Sequence, residues 1–370
     1  MDSILNEPID KVAIIMAGGT NWNLWPRSLD KTLKQFIRLI GEGTMIQNTF
    51  QRLLPVFKLD NIFVVTSENC EELVKNQLPY LPLENIILEP FGRNTAPCIA
   101  LAASVIERKF PGNVVMMAFP ADHSIENVRE FHDSLEIAAE IADKTKAIVT
   151  IGITPSRPET GFGYVQIIEN DEEIKSFYDM GVRKSAAFAE KPDIDTAKRF
   201  MESGDFLWNS GIFVWNIETF WEAFHKFLPE HDLFFNLLKK NIGKKIYHNV
   251  LNDIYRQMEA RSIDYAILEK AKNVYVVEST FSWSDLGNWD ELYRLSFKDA
   301  RNNFVEGNVV TINSSNCLIS AEDKLVGIVG VDNLIIVDTP DSLLICKRGA
   351  SEQTMEIVDY LKRKNITSHL

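Results

Sequence analysis

Apolar residues in this chain alternate between short unbroken runs and helically spaced segments. Residues 11–17 read KVAIIMA and stop at Gly18-Gly19. So short and so apolar a run predicts a strand buried on both faces that delivers a turn. Thr44-Met45-Ile46-Gln47 fits a capping box, and the apolar spacing through Phe57 predicts a helix behind it. Further strands are predicted at residues 61–66, 85–88, 113–118 and 147–151, and helices at 95–106 and 131–142.

Strands alternating with helices at this rhythm predict an α/β fold, a Rossmann-like, doubly wound and mostly parallel sheet. Ligands bind at the carboxyl ends of the strands of such sheets. The turn after Ala17 and the segment after Ala118 both lie at such ends. Beyond residue 150 or so the excursions lengthen, which predicts an antiparallel elaboration of the sheet. From Asn308 to Lys347 the chain is rich in Val, Ile and Asn, with short alternating runs and no helical period. That predicts a small β unit, closed by a terminal helix over 351–364. The expected division is a large domain over 1–299 and a small β-rich one with its helix over 300–370.

Composition narrows the function more than the fold. The chain has 370 residues and a formal net charge of −13. Such a surface disfavours nucleic acid, and no basic stripe with interleaved aromatics offsets it. A mononucleotide remains compatible, because it needs only a local positive site. Cys70, Cys98, Cys317 and Cys346 form no CxxC pair, and the six histidines form no HxxH or HxH pair. Buried structural thiols are expected, and no zinc. No basic leader and no apolar run of spanning length is visible, so a cytoplasmic protein without membrane attachment is expected. The sequon at Asn365-Ile366-Thr367 has no meaning there.

Further segments carry polar chemistry. Residues 17–26 read AGGTNWNLWP and are followed by Lys34-Gln35-Phe36. Glycines after a first strand let backbone N–H groups approach phosphates, and Lys34 can add charge there. The pattern is neither G-x-G-x-x-G nor a P-loop, and a plain βα turn would look similar. Glu89-Pro90-Phe91-Gly92-Arg93-Asn94-Thr95-Ala96-Pro97 places Asn94 or Thr95 to cap the next helix. Asp122, in Phe119-Pro120-Ala121-Asp122-His123, stands just past a strand, where an aspartate caps a turn or holds Mg²⁺ near phosphates. Gly161-Phe162-Gly163-Tyr164, Glu190-Lys191-Pro192 and Trp208-Asn209-Ser210-Gly211 combine hydroxyl acceptors, a cation and glycines for close approach. Near the end, Trp283-Ser284-Asp285-Leu286-Gly287-Asn288-Trp289 pairs another aspartate with two aromatics expected in the core.

These strings resemble those of sugar-phosphate nucleotidyltransferases, and most closely the mannose-1-phosphate guanylyltransferases. Members open with G-G-x-G-x-R, continue L-W-P-x-S and P-K-Q-F, and carry E-P-x-x-R-N-T-A-P, P-A-D-H, E-K-P, W-N-S-G and W-x-D-x-G-x-W. The likeness runs from Lys11 to Lys364. It implies the nucleotidyltransferase fold and a reaction of GTP with mannose 1-phosphate giving GDP-mannose and pyrophosphate. It assigns Lys34, Asp122 and Asp285 to catalysis, with Mg²⁺ on Asp122 and Asp285. Ala17, Gly18, Gly19, Asn94 and Asp122 would bind the nucleotide, and Gly163, Glu190, Lys191 and Asn209 the sugar phosphate. The appended cupin isomerase domain of some relatives is not expected, and a homodimer is open as the assembly.

The chain departs from the family in its phosphate loop. Asn21 replaces the third glycine, Asn23 the loop arginine, and Leu33 the proline before the lysine. Arg27 is a candidate substitute for the arginine. Three activities stay open at this point: a guanylyltransferase with a rearranged loop, a nucleotide-binding regulatory partner, and a transferase for another sugar phosphate or nucleotide.

Overall fold

The computed structural model describes residues 10–19, 22–169 and 172–370. Asn21 lies outside the described residues. The chain forms two compact units, each discontinuous in sequence: residues 1–19, 49–121 and 125–283 in the first, and 20–48, 122–124 and 284–370 in the second.

The first unit is built on a nine-stranded sheet. Its strands are β1 (Asp10–Met16), β2 (Ile62–Ser67), β3 (Ile86–Glu89), β4 (Val114–Pro120), β5 (Ile148–Ile153), β6 (Gly163–Ile168), β7 (Val182–Glu190), β8 (Phe206–Asn216) and β9 (Val274–Ser279). Their spatial order is β3-β2-β1-β4-β8-β5-β9-β7-β6, with a further β8–β6 pairing. The first four strands are mutually parallel. Val12 to Ile15 are fully buried, as a strand covered on both faces requires. The later part is the expected antiparallel elaboration: β8 runs against β4, β5 and β6, and β7 runs against β6 and β9. Among the described residues of this later part, β9 with β5 restores a parallel pair.

Helix Thr95–Lys109 shows how local sequence sets the packing beside the sheet. Asn94, with φ of 70°, accepts a hydrogen bond from Thr95 N at 2.8 Å and caps the helix. Ala96, Ala100, Ala102 and Ala103 are fully buried, so small side chains let the helix pack close. Helix Val128–Thr145 buries Phe131, Leu135, Ala138, Ala139 and Ala142 on one face.

The second unit contains β10 (Phe304–Glu306), β11 (Val309–Ile312), β12 (Leu318–Ala321), β13 (Val326–Val329), β14 (Leu334–Asp338) and β15 (Leu343–Lys347). Strands β10, β12 and β14 pair in parallel, as do β11 and β13. Successive rungs thus stack on one another in a β-helix, and antiparallel β15 closes one side. Terminal helix Thr354–Arg363 follows. The core of this unit joins Leu24, Trp25, Ile37, Leu39 and Met45 to Leu286, Trp289, Leu318, Ile335, Val337, Leu344 and Val358. The Trp289 indole N–H donates to Trp25 O at 2.9 Å. Residues 22–48 therefore belong structurally with the C-terminal segment. At their end Thr44 N donates to the Gln47 side chain at 3.0 Å, the backward half of the capping box.

Candidate active site

Strand order sets out the first unit's site groups along one sheet. β1 ends at Met16, and Ala17 extends its ladder by donating to Val65 O at 2.8 Å. Gly19 then takes φ of 88°, a left-handed turn that suits glycine. Gly18 is fixed for a different reason. A Cβ there would stand 3.0 Å from Glu89 Oε2, at the carboxyl end of β3. Asn94 is exposed, five residues beyond Glu89. The Glu89 carboxyl is 2 % exposed and accepts from the Tyr255 hydroxyl at 3.0 Å. Burial pushes it up to about 7, against the pull of that hydrogen bond. Ala17, Gly18 and Gly19 thus adjoin the end of β3, from which the chain runs on to Asn94. Arg93, by contrast, is a structural tie: its Nε donates to Tyr255 O at 2.7 Å, and its guanidinium lies over the Phe91 ring.

The second group lies between β6, β7 and β8. Gly163 pairs with Glu190, and Gly152 with Asn209. A bulge interrupts the β5–β8 register between Thr150 and Gly152. Gly211 bends there with φ of 72°. The bulge turns the Asn209 amide so that its Oδ1 accepts from Thr150 Oγ1 at 2.9 Å and from Gly211 N at 3.3 Å. Its Nδ2 donates to Asp264 Oδ1 at 3.0 Å. A Cβ on Gly163 would stand 2.5 Å from Glu190 Oε2, so only a glycine lets that carboxylate oxygen lie against the β6 backbone. Burial raises the Glu190 carboxyl to about 7; Asp264 and Glu269 add to the rise and Lys191 opposes it. Lys191 has φ of 50°, and its ammonium is largely exposed, 4.0 Å from Glu190 Oε1. Gly163, Glu190, Lys191 and Asn209 therefore form one constellation. Asp264, which no sequence motif singles out, belongs to it. Burial is the main cause that raises its carboxyl.

The third group is in the second unit. Lys34 is 1 % exposed, and its ammonium donates to Asp122 Oδ2 at 2.6 Å and to the backbone carbonyl of Asp285. So buried a cation needs such partners. Burial alone would raise Asp122, but Lys34 and His123 outweigh it and hold the carboxyl below its usual value. Asp285 is pushed up to about 6 by burial, with Asp122 and Glu291 adding to the rise and Lys34 opposing it. Its Oδ1 is oriented by Gly287 N at 3.0 Å. Lys34, Asp122 and Asp285, distant in sequence, are thus assembled. Arg27, the candidate substitute for the loop arginine, is bonded elsewhere. Its guanidinium donates to Glu306 Oε2 at 2.7 Å and to Arg38 O at 3.3 Å, tying residues 27–38 to strand β10.

A fold with these groups is matched by known proteins. Residues 12–302 match the nucleotidyl transferase family, and residues 307–361 the MannoseP isomerase/GMP-like beta-helix domain. A mannose-1-phosphate guanylyltransferase of Escherichia coli is 37% identical over 361 residues, covering 96% of this chain and 75% of that protein. The alginate biosynthesis protein AlgA of Pseudomonas syringae pv. tomato is 34% identical over 361 residues, covering 96% and 73%. A crystal structure named as the mannose-1-phosphate geranyltransferase of Thermus thermophilus superposes with a TM-score of 0.84 at 28% identity, over 96% of this chain and all of that one. The chain belongs to the nucleotidyl transferases and, within them, to the mannose-1-phosphate guanylyltransferase family. It spans about three quarters of the length of the curated relatives it matches. One expectation changes: the C-terminal region is not without an isomerase-related part, because the β-helix is a domain type that bears the isomerase name.

Proposed function

We propose that this enzyme transfers the guanylyl group of GTP to mannose 1-phosphate, giving GDP-mannose and pyrophosphate. The observation that carries the proposal is the buried Lys34 ammonium held between Asp122 and Asp285, in a chain 37% identical to a protein named for this activity. A phosphate oxygen of the sugar phosphate attacks the α-phosphorus. The bond from that phosphorus to the bridging oxygen breaks, and its electron pair leaves with pyrophosphate. No protein nucleophile is required, so positioning and charge neutralisation supply the catalysis. Lys34 contributes a fixed positive charge to the phosphates, and Asp122 and the Asp285 carbonyl keep it aimed. Ala17, whose N–H is held by Val65 O, delivers the turn, and the backbone of Gly18 and Gly19 lines the nucleotide side. The Asn94 side-chain oxygen is committed to its helix cap, and Thr95 N and Ala96 N are bonded within the protein, so Asn94 serves that side through its Nδ2 donor. Glu190, Asn209 and Lys191 serve the sugar phosphate.

The donor set of Asp122 and Asp285 suits Mg²⁺. Both are hard oxygen ligands, and Lys34 is bonded to both residues, to the Asp122 carboxylate and to the Asp285 carbonyl. Among the described residues no group of three or more His, Cys, Asp or Glu is arranged for a metal. Two carboxylates nevertheless suffice for an ion that takes its remaining ligands from phosphates and water. Bound there, Mg²⁺ would neutralise charge on the triphosphate.

The net charge of −13 and the four free thiols support a cytoplasmic enzyme that does not bind nucleic acid. No helix among the described residues is long and apolar enough to cross a membrane. The deciding experiment is pyrophosphate release from the purified chain with a panel of nucleotides and sugar phosphates. GTP with mannose 1-phosphate should give the highest kcat/KM, and a clear preference for another pair would overturn the assignment. Asp285→Asn should abolish Mg²⁺-dependent turnover and leave the thermal transition nearly unchanged. Unaltered turnover would remove the two-carboxylate site.

A further inference from the structure

The Asn209 amide is almost fully committed inside the protein. Its carbonyl oxygen, with two lone pairs, already accepts from Thr150 Oγ1 and Gly211 N. Its nitrogen gives one N–H to Asp264 and keeps one. A flipped amide would set its nitrogen against the Gly211 N–H and its oxygen against the Asp264 carboxyl, while Thr150 Oγ1, whose single proton also reaches Ile212 O at 3.0 Å, suits either setting. The orientation is therefore fixed, and Asn209 can meet a ligand only as a donor. Asn209 Nδ2 and Glu190 Oε2 converge on the Gly163 backbone: a Cβ there would come within 3.7 Å of the first and 2.5 Å of the second.

Asp264 is held as firmly as the amide it orients. Its Oδ2 accepts from Ser262 Oγ at 2.7 Å. The residue opens a π-helical turn, Asp264–Leu268, in which Glu269 N donates to Asp264 O at 3.0 Å. Single π turns recur where a side chain has to be aimed. The stretch before it is stitched to the Arg93-Asn94-Thr95-Ala96 string by three bonds: Arg261 N to Arg93 O at 3.1 Å, Ala96 N to Arg261 O at 3.0 Å, and Ile263 N to Thr95 Oγ1 at 2.9 Å.

We propose that Asp264 is a positioning residue of the sugar-phosphate subsite, acting through Asn209: it locks the amide so that one N–H donor faces the sugar beside the Glu190 acceptor. Together these two groups read a sugar hydroxyl, one donating to its oxygen and one accepting its proton. The inference rests on the proposed sugar-phosphate role of this constellation. Asp264 also adds to the upward shift of its neighbour. Glu190 is held near 7 by burial first, then by Asp264 and Glu269, against Lys191.

The test is a double-mutant cycle read by calorimetric binding of mannose 1-phosphate to the full chain, which needs no turnover. Asp264→Ala should weaken binding about tenfold, as loss of one hydrogen-bonded constraint does, and Asn209→Ala should weaken it by a similar factor. In the Asn209→Ala background, Asp264→Ala should have almost no further effect. Thr150→Val, which frees the other side of the amide while keeping volume, should also weaken binding. Asp264→Glu should restore part of the loss, and GTP binding should change less than about twofold in each variant. With Asp264→Ala the pH midpoint of sugar binding set by Glu190 should move to lower pH, because a neighbouring negative charge is gone. Independent effects of the two alanines, equal weakening of GTP, or no effect of Asp264→Ala would each overturn the proposal. A parent chain that binds mannose 1-phosphate without turning it over overturns the proposed reaction and leaves this inference standing. A parent that binds no sugar phosphate removes both.

Discussion

Glu89 is a carboxyl group with almost no access to water, next to a glycine that leaves no room for a side chain. Its pKa is raised from 4.5 to about 7, with burial as the cause. An unfolded Glu89 loses its proton above about pH 4.5, whereas the folded one keeps it to about pH 7. The folded chain therefore binds the extra proton between these values, and the contribution falls as pH rises through that window. The difference amounts to about 3 kcal/mol. Glu89→Gln should consequently gain stability relative to the parent at pH 8 and not at pH 4, measured as denaturant midpoints at the two pH values. Arg27 is the other residue whose role changes once its surroundings are known. In sequence it stands four residues after the missing loop arginine and looks available. In the fold it is tied to Glu306 and the Arg38 carbonyl. Arg27→Ala should cost about 1–3 kcal/mol in denaturant unfolding and leave the KM for GTP nearly unchanged. The phosphate-loop deficit then rests on Asn23, which has contacts of its own. Asn23→Arg should raise kcat by on the order of tenfold with little change in the sugar-phosphate KM, because the added charge acts mainly on the departing pyrophosphate. A slower variant would mean that the loop runs elsewhere.

At the scale of elements, periodicity was most legible where burial is two-sided. The expected strand at residues 11–17 is Asp10–Met16, that at 61–66 is Ile62–Ser67, and that at 113–118 is Val114–Pro120. Helix 95–106 runs on to Lys109. What periodicity could not reveal was the bulge in β8 and the π turn at Asp264, because both are departures from a period. Their only trace is local: Gly211 beside Asn209, and a Ser262-Ile263-Asp264 string whose side chains bond one another. The sugar constellation was legible as residue types, while the donor and acceptor assignment of Asn209 needed Thr150 and Asp264. Thr95 shows the same limit. It reads as a helix cap, yet Asn94 does the capping and Thr95 Oγ1 accepts from Ile263 N at 2.9 Å. Thr95→Val leaves that N–H without its partner. It should cost about 1–3 kcal/mol and weaken mannose 1-phosphate binding through the 261–264 segment, both readable by denaturation and calorimetry.

For the whole molecule, the sequence suggested one cut near residue 299, and compactness follows a different rule. The segment with Lys34 and the segments with Asp122 and Asp285 share a unit with the β-helix. Alternating short runs announced β structure over 308–347, but not its parallel stacking. Pairings such as Phe304 with Leu318 and Leu318 with Ile335 join residues 14 and 17 positions apart, too far for any local pattern to reveal. A chain ending at residue 299 would leave Leu24, Trp25, Ile37, Leu39 and Met45 without Leu318, Ile335, Val337, Leu344 and Val358. It should bind a hydrophobic dye strongly and lose turnover, although no residue assigned to catalysis has been removed. Full activity from that fragment would mean that Lys34 is held without the C-terminal core.

The same core has a bearing on how the enzyme is made. Leu24 to Met45 emerge from the ribosome well before Leu286 to Val358. Translation at roughly 5–20 residues per second puts about 10–50 s between Met45 and Leu286. Throughout that interval the apolar stretch bearing Lys34 has none of its C-terminal packing partners. A nascent chain in this condition is a natural client for chaperones, and a slow-codon stretch near its end would prolong the exposure rather than relieve it.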